Sequence, residues 1–313
     1  MNKIWVTGEA LIDFVPNTSS DALLFRTCCG GSTYNAAKAA ARQGANVSFI
    51  GPISTDLFGD ILAEDLLSEK IDISHAPRIE DPTTLAFVKY DGPDARYAFF
   101  DNASAMRMGR QGQIAQLVTP GDIVHAGSIS LINDPGGEGI VETMLSSYGD
   151  ALLSIDPNAR AGMIHDLKRW RDRINALIER AALVKMSVED LELLAPNNTP
   201  EEYAVKLIKQ GVPLVVITLG SKGALAASRH GKAKVAVSTE AIVDTLGAGD
   251  TVTGTLLFEI TRRGLKTSTS IASLDDTALE AMLKRAMRAA WLNCQQTGCN
   301  PPTADLIDSI SGS

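Results

Sequence analysis

Asp244-Thr245-Leu246-Gly247-Ala248-Gly249-Asp250 runs directly into Thr251-Val252-Thr253-Gly254-Thr255-Leu256-Leu257-Phe258, a stretch with the look of a helix. Glycines at a helix start let the backbone approach a ligand closely, and the unpaired N–H groups of the first turn point outward as an anion site. A phosphate fits there. An aspartate in a first turn is, by itself, ordinary helix-dipole chemistry. Beside an anion site, however, the Asp250 carboxylate supplies what phosphoryl transfer needs, an acceptor for the proton of an attacking hydroxyl.

Around this stretch, short β-branched apolar runs alternate with longer helical patterns, the signature of a parallel sheet covered by helices. Core strands are predicted at 4–7, 47–50, 123–126, 152–155, 183–186 and 214–218, and helices starting near Asn35, Asp60, Glu138, Asp166, Val188, Pro200, Gly247 and Asp275. The last of these shows the spacing well, with Leu279, Met282, Leu283 and Ala286 on one face. One segment breaks the alternation: residues 84–90 and 96–100 are strand-like and joined by Asp91-Gly92-Pro93-Asp94. That is a β-hairpin, and in a parallel domain it projects from an edge as a flap or lid.

Composition narrows the partners. The chain has 313 residues, 45% hydrophobic and 21% charged, an ordinary globular balance that supplies a sizeable core. Its 29 Lys+Arg against 37 Asp+Glu give a net charge of −8, with no basic block to neutralise a row of phosphates, so nucleic acid is not expected as a partner. No apolar run approaches the roughly 18–20 residues of a membrane span. Glu9 and Asp13 interrupt the N-terminal stretch before any signal-peptide core, and a cytoplasmic location is expected. Cys28, Cys29, Cys294 and Cys299 have no C-x-x-C spacing, and the four histidines are scattered, so any metal is expected to arrive with a substrate.

Other candidate positions follow from strand ends and glycines. Gly30-Gly31-Ser32-Thr33-Tyr34-Asn35 leads into an Ala-rich helix over 35–43; it is either a glycine turn with Asn35 as cap or a place where a hydroxyl-rich ligand comes close. Asp13 and Asp156-Pro157-Asn158-Ala159-Arg160 follow apolar strands, where ligands of open α/β sheets sit. Lys185-Met186-Ser187-Val188-Glu189 and Thr218-Leu219-Gly220-Ser221-Lys222-Gly223 lie at strand ends too. Glu189 also fits as the N3 partner of a capping box, and the Gly220/Gly223 loop either covers nucleotide phosphates or turns a hairpin into residues 224–227. No G-x-x-x-x-G-K-[ST] and no G-x-S-x-G occurs, and no G-x-G-x-x-G follows the first strand, which leaves phosphate binding to 247–250.

Taken in order, these motifs resemble the ribokinase-like (PfkB-type) family of sugar kinases along nearly the whole chain, most specifically in D-T-x-G-A-G-D at 244–250. The resemblance implies an α/β, three-layer αβα core with a small β-sheet lid, a single domain over 1–313, the lid formed from about 14–29 and 84–104. It implies Asp250 as base, with the amides of Gly247, Ala248 and Gly249 holding the phosphoryl group. Asp13, Gly30, Gly31, Asn35 and Arg160 would bind the sugar, and Lys185, Thr218, Gly220, Gly223 and Asn293 the nucleotide. Glu189 would hold Mg2+ through water, Asp244 would adjoin a monovalent cation such as K+, and ATP would be the donor. An exposed lid sheet often needs covering, so a homodimer joined through the hairpins is expected as well.

Asp156-Pro157-Asn158-Ala159-Arg160, Gly127-Ser128-Ile129 and the stretch from Asn293-Cys294 to Pro301-Pro302 look most like fructokinases, making D-fructose to fructose 6-phosphate the expected reaction. The 2-keto-3-deoxygluconate kinases carry a similar aspartate-proline-asparagine loop, and Arg96, Arg107 and Arg160 are cations that a sugar acid would recruit. Ribokinases and nucleoside kinases match less well, and a non-catalytic sugar sensor on the same fold is the rival of a different class. Against the family's pattern, Leu246 stands for a usual threonine, Thr251-Val252 for alanine-phenylalanine, and Tyr34 for a small residue, a change expected to reshape the sugar pocket.

Overall fold

The apolar runs become strands in the computed structural model, which describes residues 2–17, 24–91, 94–238, 240 and 242–310. In chain order these are β1 (Lys3–Val6), β2 (Leu11–Asn17), β3 (Leu24–Gly30), β4 (Asn46–Phe49), β5 (Ile53–Ser54), β6 (Arg78–Ile79) and β7 (Thr84–Asp91). They continue with β8 (Asp94–Phe100), β9 (Ile123–Gly127), β10 (Leu152–Asp156), β11 (Ala181–Ser187), β12 (Leu214–Thr218), β13 (Ala224–Ser228) and β14 (Lys232–Val235). The helices begin with α1 (Ser32–Arg42), α2 (Leu57–Ser68), α3 (Ala105–Met108), α4 (Gly136–Ser146), α5 (Leu167–Ile178) and α6 (Val188–Leu194). After them come α7 (Pro200–Lys209), α8 (Ala248–Arg262), α9 (Ser268–Ala272), α10 (Asp276–Cys294) and α11 (Ala304–Ser309). Among the described residues no helix is long and apolar enough to cross a membrane.

Eight strands form one sheet in the order β14-β13-β12-β11-β10-β9-β1-β4, parallel from β12 to β4, with β13 and β14 antiparallel at one edge. Side chains alternate across it. Ile4, Val6, Leu214 and Val216 pack on one face with Ala37, Leu256 and Leu283 of α1, α8 and α10. Trp5, Val215 and Ile217 pack on the other with Met144, Trp170 and Leu207 of α4, α5 and α7. Burial on both faces is why these strands read as continuous apolar runs, and the three-layer αβα arrangement is the one expected. Because β1 has β4 on one side and β9 on the other, the order of connections reverses there, opening a crevice at the carboxyl ends of the strands.

The expected hairpin forms as β7 and β8, with Leu85 opposite Phe100; Gly92 and Pro93 of its turn, and the side chain of Arg96, lie outside the described residues. It belongs to a four-stranded sheet, β3-β2-β7-β8. Asp13, expected in a loop behind the first strand, is instead inside β2, because the chain leaves β1 and re-enters a strand at Leu11. Phe14 stacks on Phe87 at 4.5 Å between ring centroids, and Phe25 and Phe100 meet Phe87 edge-on. The pleat sends Asp13 the opposite way from Phe14.

Boundaries moved where caps decide. Helix α1 starts at Ser32 rather than near Asn35, since Gly31 at φ 112 makes the break and puts Asn35 in the first turn. Helix α2 starts three residues before Asp60, where the Asp56 side chain accepts from the Gly59 amide at 2.7 Å. The short helices α3, α9 and α11 were not expected, being too short for a periodic pattern.

Helix α8 crosses α1 at Gly254. A Cβ there would strike the Ala36 carbonyl oxygen and lie 2.6 Å from the Ala39 Cβ. Replacing Gly254 by Ala gains helix propensity of about 1 kcal/mol, but overpacking costs about 1–3 kcal/mol. Gly254→Ala is therefore expected to lower the urea midpoint with m unchanged; a midpoint at or above the parent's would mean that α1 can yield.

Candidate active site

The carboxyl ends of β1, β9 and β10, the start of α8 and the inner face of the four-stranded sheet enclose a cavity of ≈ 170 Å³. Its polar walls come from Glu9, Asp13, Asn35, Asn158, Arg160 and Asp250. Asp250 sits in the first turn of α8, held from three directions. Ser32 Oγ donates to its Oδ1 at 2.7 Å, Asn35 Nδ2 to its Oδ2 at 2.9 Å, and Asn158 Nδ2 to Oδ1 at 3.2 Å. Asn158 has a left-handed backbone (φ 36) and accepts from Arg160 at 2.6 Å, while the Arg160 guanidinium lies over the Tyr97 ring.

Three carboxyl groups in so small a volume disfavour their own charges. Burial pushes Asp250 above the usual carboxylate range against the hydrogen bonds of Asn35 and Ser32, with Asp156 adding to the rise and Lys185 opposing it. Burial likewise lifts Asp13 to about 7, reinforced by Asp250 and opposed by Arg160. Glu9 is also raised to about 7, chiefly by burial. Behind them Lys185 and Asp156 form a buried pair at 2.8 Å, and Thr253 Oγ1 donates to the same Asp156 oxygen. Burial pulls Lys185 down, yet the Asp156 charge beside it holds the ammonium above its ordinary range.

A second cavity, of ≈ 400 Å³, lies on the other side of the α8 start and is mainly apolar, lined by Val237, Val252, Met287 and Ala290 with Glu189 and the Gly220/Gly223 loop at its rim. Thr245, Ala248 and Gly249 line both cavities. Gly247 caps α8 in the left-handed region at φ 74, and a Cβ there would strike Cys299 Sγ. The Ala248 amide bonds the Thr245 carbonyl at 3.2 Å.

Most of the expected residues meet at these two cavities. Asp13, Gly31, Asn35 and Arg160 line the first with 244–250, and Thr218, Gly220, Gly223 and Glu189 the second. Gly30 adjoins the first, since a Cβ on it would strike the Asp13 carboxylate. Four positions need correction. Lys185 is locked to Asp156 and faces the underside of Gly249, not the second cavity. Asn293 is fully buried, donating to the Leu246 carbonyl and accepting from the Asn300 amide, so it braces the loop and lines neither cavity. The N3 partner in the capping box of α6 is Asp190, one residue past Glu189, which leaves Glu189 free to face the cavity. Tyr34 points away into the core, its hydroxyl bonding Asp65 and its ring against Phe49, so it does not shape the first cavity. Asp244 accepts from the Leu246 and Gly298 amides, ordering the loop. Between β12 and β13 a one-turn loop with Gly223 at φ 93 makes the hairpin considered for it, and Gly220 and Gly223 line the second cavity.

Sequence reasoning passed over Glu9, Ser32 and Asn158 as site residues. Asn158 and Ser32 carried a signal, the one standing after Pro157 at a strand end and the other inside the Gly30–Asn35 run.

Similarity to known proteins agrees with this geometry. The model of the pfkB family carbohydrate kinases matches residues 1–306. A fructokinase of Rhizobium leguminosarum bv. trifolii is 35% identical over 273 residues, 87% of this chain and 84% of that protein. A Vibrio cholerae O395 fructokinase solved with fructose, ADP and a calcium ion superposes with a TM-score of 0.82 at 26% identity, covering 99% of this chain and 98% of that one. A Xylella fastidiosa fructokinase solved with ATP shares the fold at a TM-score of 0.88 and 24% identity over 98% and 97% of the two chains. Matched from end to end in sequence and in fold, the chain belongs to the pfkB family of carbohydrate kinases.

Proposed function

We propose that the protein is an ATP-dependent fructokinase, transferring the γ-phosphoryl group to the primary hydroxyl of D-fructose to give fructose 6-phosphate. The observation that carries this is the shared wall: the start of α8 separates a small polar cavity from a larger apolar one, with Asp250 on the polar side. A sugar suits the first and a nucleotide base the second. Phosphoryl transfer needs mainly positioning and charge stabilisation. Ala248 and Gly249 line both cavities, where the two ligands would meet, and Asp250, oriented by Ser32, Asn35 and Asn158, accepts the proton of the attacking hydroxyl. Lys185, at the back of Gly249, adds positive charge under the same turn. Tyr97 and Phe99 of β8 and Asp13 of β2 line the sugar cavity, so the lid shields the reaction from water.

Mg2+ bound with ATP would neutralise phosphate charge, and Glu189, which lines the second cavity, would hold it through water. Asp244, with both oxygens on backbone amides, offers a nearby monovalent cation its charge and not a free oxygen. Cys28, Cys29, Cys294 and Cys299 are all free thiols, which fits a reducing, ATP-rich cytoplasm. A keto sugar acid is the second reading, favoured by a cavity of ≈ 560 Å³ that adjoins the sugar site through Tyr97, Phe99 and Arg160 and is lined also by Arg107 and His165. Exposed Phe100 and Leu24 on the two edge strands of the lid support a homodimer joined there.

ADP release is expected with fructose and not with ribose, glucose, 2-keto-3-deoxygluconate or nucleosides, and a preference for the sugar acid would establish the second reading. Asp250→Asn is expected to lower kcat by about 10³-fold with ATP binding retained; near-normal turnover would remove the base, and sugar binding without any ADP release would make the parent a sensor. Because Asp250 is active when ionised and its carboxyl is raised, kcat/KM should fall on the acid side with a midpoint above the ordinary carboxylate range; a midpoint near 4 would contradict that environment. Sedimentation velocity at micromolar concentration should give a dimer, and a monomer would reject the lid interface.

A further inference from the structure

The cavity of ≈ 400 Å³ read above as the nucleotide site has walls of Val237, Ile242, Val252, Met287, Ala290 and Trp291. An apolar surround of this kind holds a flat heterocycle by contact area, which every purine offers alike. What distinguishes one base from another is a hydrogen-bonding group fixed at the purine edge. A 6-amino purine presents a donor at C6 and an acceptor at N1; a 6-oxo purine presents the reverse. Only a group that always donates or always accepts tells the two apart.

Among the described residues no Asn, Gln, Asp, His, Lys or Arg side chain lines this cavity. Fixed groups that do line it have partners already. The Trp291 indole N–H donates to the Glu240 carbonyl at 2.9 Å. The Cys294 carbonyl accepts from the Val243 amide at 2.8 Å and from the Asp244 amide at 3.2 Å. Val252, Met287 and Ala290 lie inside α8 and α10, where amides and carbonyls bond along the helix. The Cys294 thiol is a weak partner. What is left is the hydroxyls of Thr218, Ser221, Ser238 and Thr245, and the Glu189 carboxylate at the rim. A hydroxyl turns to donate or to accept as its ligand requires, and Glu189 is taken up by Mg2+ in the reading above.

We infer that the side chains of this site do not read the 6-position of the base, so that 6-oxo purine nucleoside triphosphates serve as phosphoryl donors beside ATP. This rests on the reading of the cavity as the nucleotide site. The bond changes are the same for each donor. The sugar hydroxyl oxygen bonds the γ-phosphorus, the bridging P–O bond toward the β-phosphate breaks, the nucleoside diphosphate leaves with that oxygen, and Asp250 takes the hydroxyl proton. The base is remote from these atoms, so donors differ in KM more than in kcat. A pocket without a fixed hydrogen-bonding group separates such analogues weakly, whereas one built to bond a particular edge rejects the wrong one by roughly 10⁴-fold or more.

The test measures fructose 6-phosphate formed by the full chain with the Mg2+ salts of ATP, ITP and GTP in turn. ITP is expected to give a kcat/KM within about 10-fold of that with ATP, and a kcat within about threefold. ITP changes the 6-position alone, and GTP adds an amino group at C2; GTP poor while ITP serves would support the inference and assign the exclusion to the size of the pocket at C2. A preference for ATP over ITP beyond about 10-fold would overturn it and assign base reading to the main chain at Val237 and Ser238. In Ser238→Ala the ratio of ITP to ATP use should hold within about twofold, and a larger change would overturn the inference by making that hydroxyl a reader of the base. Calorimetric binding of ADP and IDP separates the two readings. Binding of both within about 10-fold, with no product from any donor, would reject the kinase reading alone; binding of ADP only would reject the inference, and binding of neither would reject both.

Discussion

Helix α8 can lie against α1 only because residue 254 has no side chain, and the placement of Asp250 and the groups that hold it depends on that approach. At a usual helix spacing the first turn of α1 and the first turn of α8 would not share a hydrogen bond. Here Ser32 and Asn35 of one reach Asp250 of the other, across 218 and 215 residues of sequence. The alanines of α1 serve the same end: Ala36, Ala37, Ala39 and Ala40 are all buried, small enough to fit between the sheet and α8. Packing geometry thus sets the chemistry, and a short side chain at one crossing does more for the site than any polar residue could do on a looser scaffold.

Charge is arranged around that crossing at a cost to the fold. Glu9, Asp13, Asp250 and Asp156 are all buried, with Arg160 and Lys185 to offset them. Replacing buried ion pairs with apolar groups is often neutral or stabilising, so their presence here is better explained by what they do to a ligand than by what they do for stability. The carboxyls raised by burial are suited to a neutral polyol, since they can change from accepting to donating hydrogen bonds near neutral pH.

The layered core was legible because both faces of the sheet are covered, so every strand from β9 to β12 is a run of apolar residues. The α8 start was legible because glycines near a helix N-terminus have a physical reason to be there. What escaped was set by contacts distant in sequence. Nothing in residues 9–13 says that the chain turns into a lid strand at Leu11, because that strand exists only through pairing with β3 and β7. The contacts that Glu9 and Asn158 make with Ser32 likewise join residues far apart in sequence. Lys185 and Asn293 depart from expectation for a related reason: each side chain is taken up by a buried partner. At Glu189 and Asp190 a shift of one residue exchanged cap and cavity, the smallest error that a helix allows.

The loop that seals the back of Gly247 comes from far along the chain. Cys299 packs under it, the Gly298 amide bonds Asp244, and Arg42 of α1 reaches Asn300 and the Pro301 carbonyl. The pocket therefore has walls from residue 9 and from residue 299, and a fragment that stops short of that loop lacks one of them. During synthesis the sheet can begin to assemble while later strands are still being added, but the turn at Gly247 lacks its floor until this loop has emerged. A nascent chain on this account keeps an incomplete cavity until Cys299 and its neighbours have been made.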